Sequence, residues 1–314
     1  MLGYTLRRTG QAIFVLIGVT LITFALEHLL PGSIARSVLG VRANPVTIAA
    51  FNRQNDLDSS LLTQYLHFLK QLVHGDLGYD YQQNRTVDAI IASELPRDLV
   101  LGGLSLLFSL LIAVPVGLLQ AVKRNTVTDR IGTGIAFTLY SMPPYVPALI
   151  AIDIFAVHLH WLPSEAPQSA SALGMITDPT ALILPVAILT LVSYAMFSRY
   201  MRSAAVDTLL APFLQTARAK GLPEGQVVWR HVLRNSLIPV VTLVGLSLPG
   251  ILTAGLIIEQ IFNFPGIGLE YFQAASTNDF PALIGITLIV GAATVIGNLI
   301  ADLGYAVLDP RVRL

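Results

Sequence analysis

The chain has 314 residues, of which 54% are hydrophobic and only 12% charged, a balance too apolar for a water-soluble enzyme of this length and one that points to lipid as the solvent. Nineteen Lys and Arg offset nineteen Asp and Glu, so no net field would draw nucleic acid or an acidic partner. Cysteine is absent, which excludes a disulfide framework and thiolate chemistry without fixing a compartment.

Arg7 and Arg8 precede an apolar run from Gln11 to Leu26, a beginning that a secretory signal would share. No small-x-small cleavage site follows, and Glu27 to Gly32 reads as a helix exit, so the run is expected to stay as a first span. A helix needs about 20 mostly apolar residues to cross a bilayer with its backbone polar groups satisfied internally. Six stretches meet that demand: Thr9 to Leu30, Leu99 to Val122, Ile131 to Val157, Thr180 to Met201, Ser236 to Gln260 and Pro281 to Val307. The expected fold is therefore an all-α membrane protein with six transmembrane helices. Pro115, Pro143-Pro144, Pro185 and Pro249-Gly250 interrupt these runs and predict kinks or short broken helices, a matter of packing geometry more than of substrate contact.

Lys and Arg set the orientation. With the N-terminus inside, thirteen basic residues fall on inner segments and six on the outer side, all six within the long stretch from Pro31 to Asp98. Long loops translocate regardless of charge, so both termini are expected in the cytoplasm. Within that stretch Leu57, Leu61, Leu62, Tyr65, Leu66, Leu69 and Leu72 recur at helical spacing, and Gly75 to Gly78 supplies a turn. A short amphipathic helix on the outer face is predicted, either covering the mouth of the bundle or touching an external partner. The organisation expected is residues 1–98 as first span plus extracytoplasmic segment, then 99–314 as a five-helix core with a cytoplasmic loop at 207–235.

That loop is the most unusual stretch. Pro212 suits a first helical turn, and Gly221 with Pro223 gives a stop, so Pro212 to Leu222 reads as a compact helix. A second helix, from about Glu224 to Leu233, brings His231, Arg234 and Asn235 to the membrane, with Pro239 just inside the fifth span. Such a helix-turn-helix suits a groove in a second protein; a basic membrane-surface loop obeying the positive-inside rule fits the residues equally well.

Thr216-Ala217-Arg218-Ala219-Lys220-Gly221-Leu222, followed by His231-x-Leu233-Arg234-Asn235 and Pro239, resembles the signature loop of binding-protein-dependent ABC importer permeases, in the form found in the dipeptide and oligopeptide branch. The general signature begins Glu-Ala-Ala with a glycine four residues after the second alanine. Here Gln215, Thr216, Ala217 and Gly221 hold those places, so two of the first three positions depart from it in favour of the peptide branch. The resemblance runs along nearly the whole chain: Pro31-Gly32 after Phe24, Gln64-Tyr65, Gly75-Asp76-Leu77-Gly78, Leu95-Pro96, Glu259, Phe262, Pro265-Gly266-x-Gly268, Asp279-x-Pro281, and the ending Asp302-x-x-Tyr305-x-x-x-Asp309-Pro310-Arg311.

The resemblance implies a type I ABC importer permease fold with Gln215 to Leu222 as the ATPase-coupling helix and His231, Arg234, Asn235 and Pro239 as its support. It implies a non-catalytic subunit of the bacterial inner membrane, surrounded by lipid. Its partners would be a second homologous permease, two ABC ATPase subunits or domains, and an extracytoplasmic substrate-binding protein. No Gly-Lys dipeptide occurs, so no Walker A loop is present, and ATP with Mg would be bound by the partners. Di- and oligopeptides are the cargo of that branch, although relatives are assigned to nickel, glutathione or other small solutes, and nothing in these residues names the cargo. Asp153, Glu259 and Asp302 are the charges that an ion-coupled secondary transporter would use; all three fall near span ends, where a carboxylate can reach water. A channel is a third reading. His158 and His160 beside Trp161 suit an interfacial anchor better than a metal site.

Overall fold

The structure, a computed structural model, describes residues 2–29, 35, 39, 43–54, 57–80, 82–247 and 255–308. Helix α1 spans Leu2–Leu29. Two short helices follow, α2 at Pro45–Gln54 and α3 at Leu61–Val73. A hairpin of two-residue strands, β1 Tyr79–Asp80 and β2 Arg85–Thr86, pairs antiparallel with Tyr79 opposite Thr86.

Helix α4, Val87–Val122, has 36 residues and therefore extends about 54 Å. The hydrocarbon core of a bilayer is only about 30 Å thick, so α4 is longer than a perpendicular crossing needs. Helix α5 is Val127–Ser141, and α6 is Tyr145–Ala151, continued by a π-helical turn over Ile152–His158. The two arms meet at 101°. Met142 is extended at the bend, as a residue before proline prefers, and Pro143-Pro144 cannot continue the preceding helix. By contrast α4 runs through Pro96 and Pro115, and α8, Thr180–Leu209, runs through Pro185 after the short helix α7 at Ala172–Thr177.

Helix α9, Pro212–Ala219, leads to α10, Glu224–Gln226, a second π turn at Val227–Val232, and α11, Leu233–Ser247. Helices α12, Leu256–Ile261, and α13, Ile267–Thr277, precede the long α14, Phe280–Leu308.

Among the described residues α1 (over Leu6–Ala25), α4, α8 and α14 (over Phe280–Ile300) are long and apolar enough to cross a membrane, and the bent α5–α6 pair makes a fifth span if counted as one. The stretch expected as the remaining span falls on α11 and α12, and its middle, including Pro249-Gly250, lies outside the described residues. So do Pro31-Gly32 and Asp309 to Arg311. Helix α4 begins twelve residues before the span expected there and crosses the 98/99 division without a break.

The centre of the bundle is the α4–α8 pair, the most extensive helix contact. Its crossing needs small residues: a Cβ on Gly117 would lie 2.7 Å from the Ser198 carbonyl oxygen and 2.9 Å from Met201 Cβ. Thr190 of α8 donates to the Ser105 carbonyl of α4 at 3.3 Å, deep in the pair. Around this pair lie α5 and α11 on α8, and α14 on α1 and α11.

Candidate functional site

At one end of the bundle the segment after α8 builds the predicted helix-turn-helix. Pro212 occupies the first turn of α9, where its missing N–H is no loss. Gly221 ends the unit at φ +77°, a left-handed conformation that side chains with a Cβ resist. Leu214 and Ala217 are buried and pack with Leu222, Val227 and Val232. Gln215, Thr216, Arg218, Ala219, Lys220 and Gly221 are exposed. Arg218 donates from Nε to Glu224 Oε1 at 2.8 Å, which clasps the end of α9 to α10. Asn235 donates to the His231 carbonyl at 2.7 Å, and Ser236 donates to Thr208 of α8 at 3.1 Å, so α11 is anchored beside the helix that feeds α9. Arg234 and Pro239 are exposed and His231 half-buried. Pro239 sits inside α11, where it leaves the Asn235 carbonyl without its usual helical donor. The surface thus combines the exposed basic residues Lys220, Arg230 and Arg234, and Arg218 clasped to Glu224, with the exposed apolar side chains Phe213 and Trp229.

Two arginines brace this end. Arg202 of α8 makes a two-pronged contact with Asp129 of α5, Nε to Oδ1 at 2.6 Å and Nη2 to Oδ2 at 2.8 Å. Asp129 Oδ2 also accepts the Asn125 N–H at 2.9 Å, closing the α4–α5 turn. Arg199 lies over the rings of Phe137 and Tyr140, 4.4 and 4.8 Å from their centroids. In sequence these arginines serve only to count positive charge, because their partners lie 73 and about 60 residues away and no local pattern reveals them.

The opposite end holds a second concentration of charge. Glu94, Asp98 and Glu259 are all buried, the last two at 2% exposure. Asp98 Oδ2 accepts the Ile267 N–H at 3.1 Å and Glu259 Oε2 accepts the Leu269 N–H at 3.0 Å, so both carboxylates satisfy free N–H groups at the start of α13 and meet its positive dipole end. Glu94 pairs with Arg97. Gly266 and Gly268 make the approach possible, because a Cβ on Gly268 would stand 2.7 Å from Leu256 Cα and 2.8 Å from Glu259 Oε2, and one on Gly266 would collide with both carboxylates. The Pro265-Gly266-x-Gly268 motif is thus a seat for two acids.

This corrects the expectation that Glu259 reaches water: α13 folds back over it and supplies the donors. Asp153 is open, with its side chain 63% exposed beside His158. The side chain of Asp302 lies outside the described residues. Trp161 is exposed and tilted against Phe155. No group of three or more His, Cys, Asp or Glu among the described residues is arranged to hold a metal ion.

Beside the acid seat, the β1–β2 hairpin leans on the junction of α13 and α14. Asp279 Oδ1 accepts the Ala282 N–H at 3.1 Å and Oδ2 the Gln82 N–H at 3.4 Å, while Asp80 Oδ1 accepts from Gln82 and Gln83, each at 2.8 Å. Gln83 also donates to Glu270. Burial pushes the Asp279 carboxyl above the ordinary aspartate range, helped by the nearby Asp80; burial likewise raises Glu270.

The family model for the binding-protein-dependent transport system inner membrane component matches residues 113–314, and the N-terminal model of the same component matches 1–102. An oligopeptide transport system permease protein of Bacillus subtilis is 33% identical, one of Salmonella typhimurium 35% and a dipeptide transport system permease protein of Alkalihalophilus pseudofirmus 34%, each aligned over 100% of both chains. With both models matched in chain order and relatives aligned from end to end, the chain belongs to the binding-protein-dependent transport system inner membrane components, the non-catalytic permease subunits of ABC importers.

Proposed function

We propose that the chain forms half of the membrane pathway of an ATP-driven importer of di- or oligopeptides, and that α9 is the element through which ATPase subunits move it. The observation that carries this reading is the build of α9. One face is locked into the bundle by Leu214 and Ala217, and the other presents Gln215, Thr216 and Lys220 to a partner. Such a rigid, short, solvent-facing helix suits a groove in another protein. Peptide cargo is carried over from the oligopeptide and dipeptide transport systems to which the relatives belong.

In this scheme the chain crosses the membrane six times with both termini in the cytoplasm. A second, homologous permease completes the pathway, two ATPase subunits or domains bind ATP and Mg, and an extracytoplasmic protein delivers cargo at the α13 end. ATP shifts the equilibrium between inward- and outward-open arrangements by binding more tightly to one of them, and this subunit performs no chemistry.

The test is reconstitution of the complex recovered when the tagged chain is expressed with its neighbouring genes. The outward-facing substitutions Thr216→Trp and Lys220→Glu should reduce recovery of the ATPase subunits and peptide uptake while leaving the chain inserted and folded. Uptake that runs on an ion gradient without ATP, and collapses in Asp153→Asn, would replace this reading by a secondary carrier.

A further inference from the structure

Helix α3 has three distinct faces. Gln64, Tyr65 and Phe68 meet α1: Tyr65 Oη and Thr20 Oγ1 are 2.9 Å apart, Gln64 bonds His28, and Phe24 packs against the rings of Tyr65 and Phe68 at 5.3 and 5.8 Å. Thr63, His67, Lys70 and Gln71 form a polar sector. Between the two lies a third sector at i, i+4, i+7 and i+11, made only of Leu62, Leu66, Leu69 and Val73, with Leu62 68%, Leu66 57% and Val73 84% exposed. Water is a poor neighbour for such a face, since a contiguous apolar sector rimmed by polar residues marks a contact with lipid or another apolar surface.

The depth of α3 decides which. The apolar run of α1 ends at Leu26, before Glu27, and Tyr65 is bonded to Thr20, six residues inside that end. At 1.5 Å per residue this is about 9 Å below the limit of the apolar run, within the roughly 5–10 Å at which interfacial helices bury their apolar faces. On α1 itself Ile17, Leu21 and Ile22 are exposed too, as side chains facing lipid would be.

We propose that α3 is an interfacial membrane helix, with Leu62, Leu66, Leu69 and Val73 set in the acyl boundary of the leaflet at the α13 end and Lys70 turned to the lipid headgroups. The occupant of the face is lipid. The inference rests on α1 being a span and is independent of cargo or coupling.

The chain has no cysteine, so single-cysteine variants carry a spin label at chosen sites, with the cysteine-free chain as blank. The complex is placed in nanodiscs of phosphatidylethanolamine and phosphatidylglycerol. Collision with oxygen, which concentrates in hydrocarbon, is compared with collision with a water-soluble nickel chelate. L62C, L66C and V73C should favour oxygen several-fold over T63C and Q71C. Equal access of both reagents to all five sites would mean a water-exposed helix and would overturn the proposal. Loss of both reagents from positions 62, 66 and 73 would overturn it too, by showing a protein partner on that face. Leu62 and Val73 make so little contact that their replacement leaves the fold intact.

Discussion

Replacing Gly268 by alanine tests whether the Pro-Gly-x-Gly motif is a seat for acids. The new Cβ would stand 2.7 Å from Leu256 Cα and 2.8 Å from Glu259 Oε2, whereas non-bonded carbons rest at about 3.5–4.0 Å. Both α12 and the carboxylate must therefore retreat, by up to about 1 Å. A retreat of α12 is overpacking of a dense site and costs about 1–3 kcal/mol. A retreat of Glu259 lengthens its 3.0 Å bond from Leu269 N–H and leaves a buried carboxylate less satisfied, adding about 1–3 kcal/mol. The expected total is about 2–6 kcal/mol. The control is Gly221→Ala, where nothing lies within 4 Å and only the left-handed backbone is penalised, by about 1–2 kcal/mol. Thermal unfolding of the two variants in nanodiscs, at equal protein and lipid, reads the difference as a melting point several degrees lower for Gly268→Ala. A melting point for Gly268→Ala equal to that of the parent, or above that of Gly221→Ala, would refute the acid seat.

Three further outcomes follow from the same geometry. A double-mutant cycle of Asp129→Ala and Arg202→Ala should give a coupling of about 1–3 kcal/mol in unfolding experiments, because the two-pronged contact is lost with either partner. Asp279 binds its proton more tightly when folded than when unfolded, so its contribution to stability is full below the ordinary aspartate range and is lost as pH rises through the raised value. Asp279→Asn keeps an acceptor for Ala282 N–H, so melting points measured from pH about 4 to about 8 should fall less with rising pH than in the parent. Gly221→Trp should leave insertion intact but separate ATP hydrolysis from uptake in proteoliposomes, since the left-handed turn that sets the angle of α9 lies outside the packed core.

What was legible in the sequence was local. The apolar runs that became α1, α4, α8 and α14, the break at Pro143-Pro144, the amphipathic α3 and the compact α9 are all patterns within about thirty residues, written by periodicity, proline and glycine. The acid seat was not legible, because Asp98 and Ile267 lie 169 residues apart and each looks ordinary in its own segment. Glu259 looked like a span-end carboxylate because no sequence window shows that α13 folds back over it. The partners of Arg202 and Arg199 were hidden for the same reason: the positive-inside count registers a charge and says nothing of what neutralises it.

The two ends of the molecule are joined by a continuous series of packed helices. Helix α9 packs on the π turn before α11, α11 is bonded to α8 through Ser236 and Thr208, and α8 is pressed onto α4 at Gly117 and bonded to it again from Thr190 to Ser105. The N-terminal part of α4 places Asp98 on the first turn of α13. Close contacts at a glycine do not deform gradually, so α4 and α8 are suited to move together rather than to slide. A displacement imposed at α9 therefore has a continuous packed route to the acid seat, where α13 is held by two carboxylate contacts at its first turn and by Ile267 and Ala274 packed against α4 and α14. Any shift of α13 against α4 must break both carboxylate contacts and part this apolar packing together, so the acid seat moves with the end of α4 that carries Asp98.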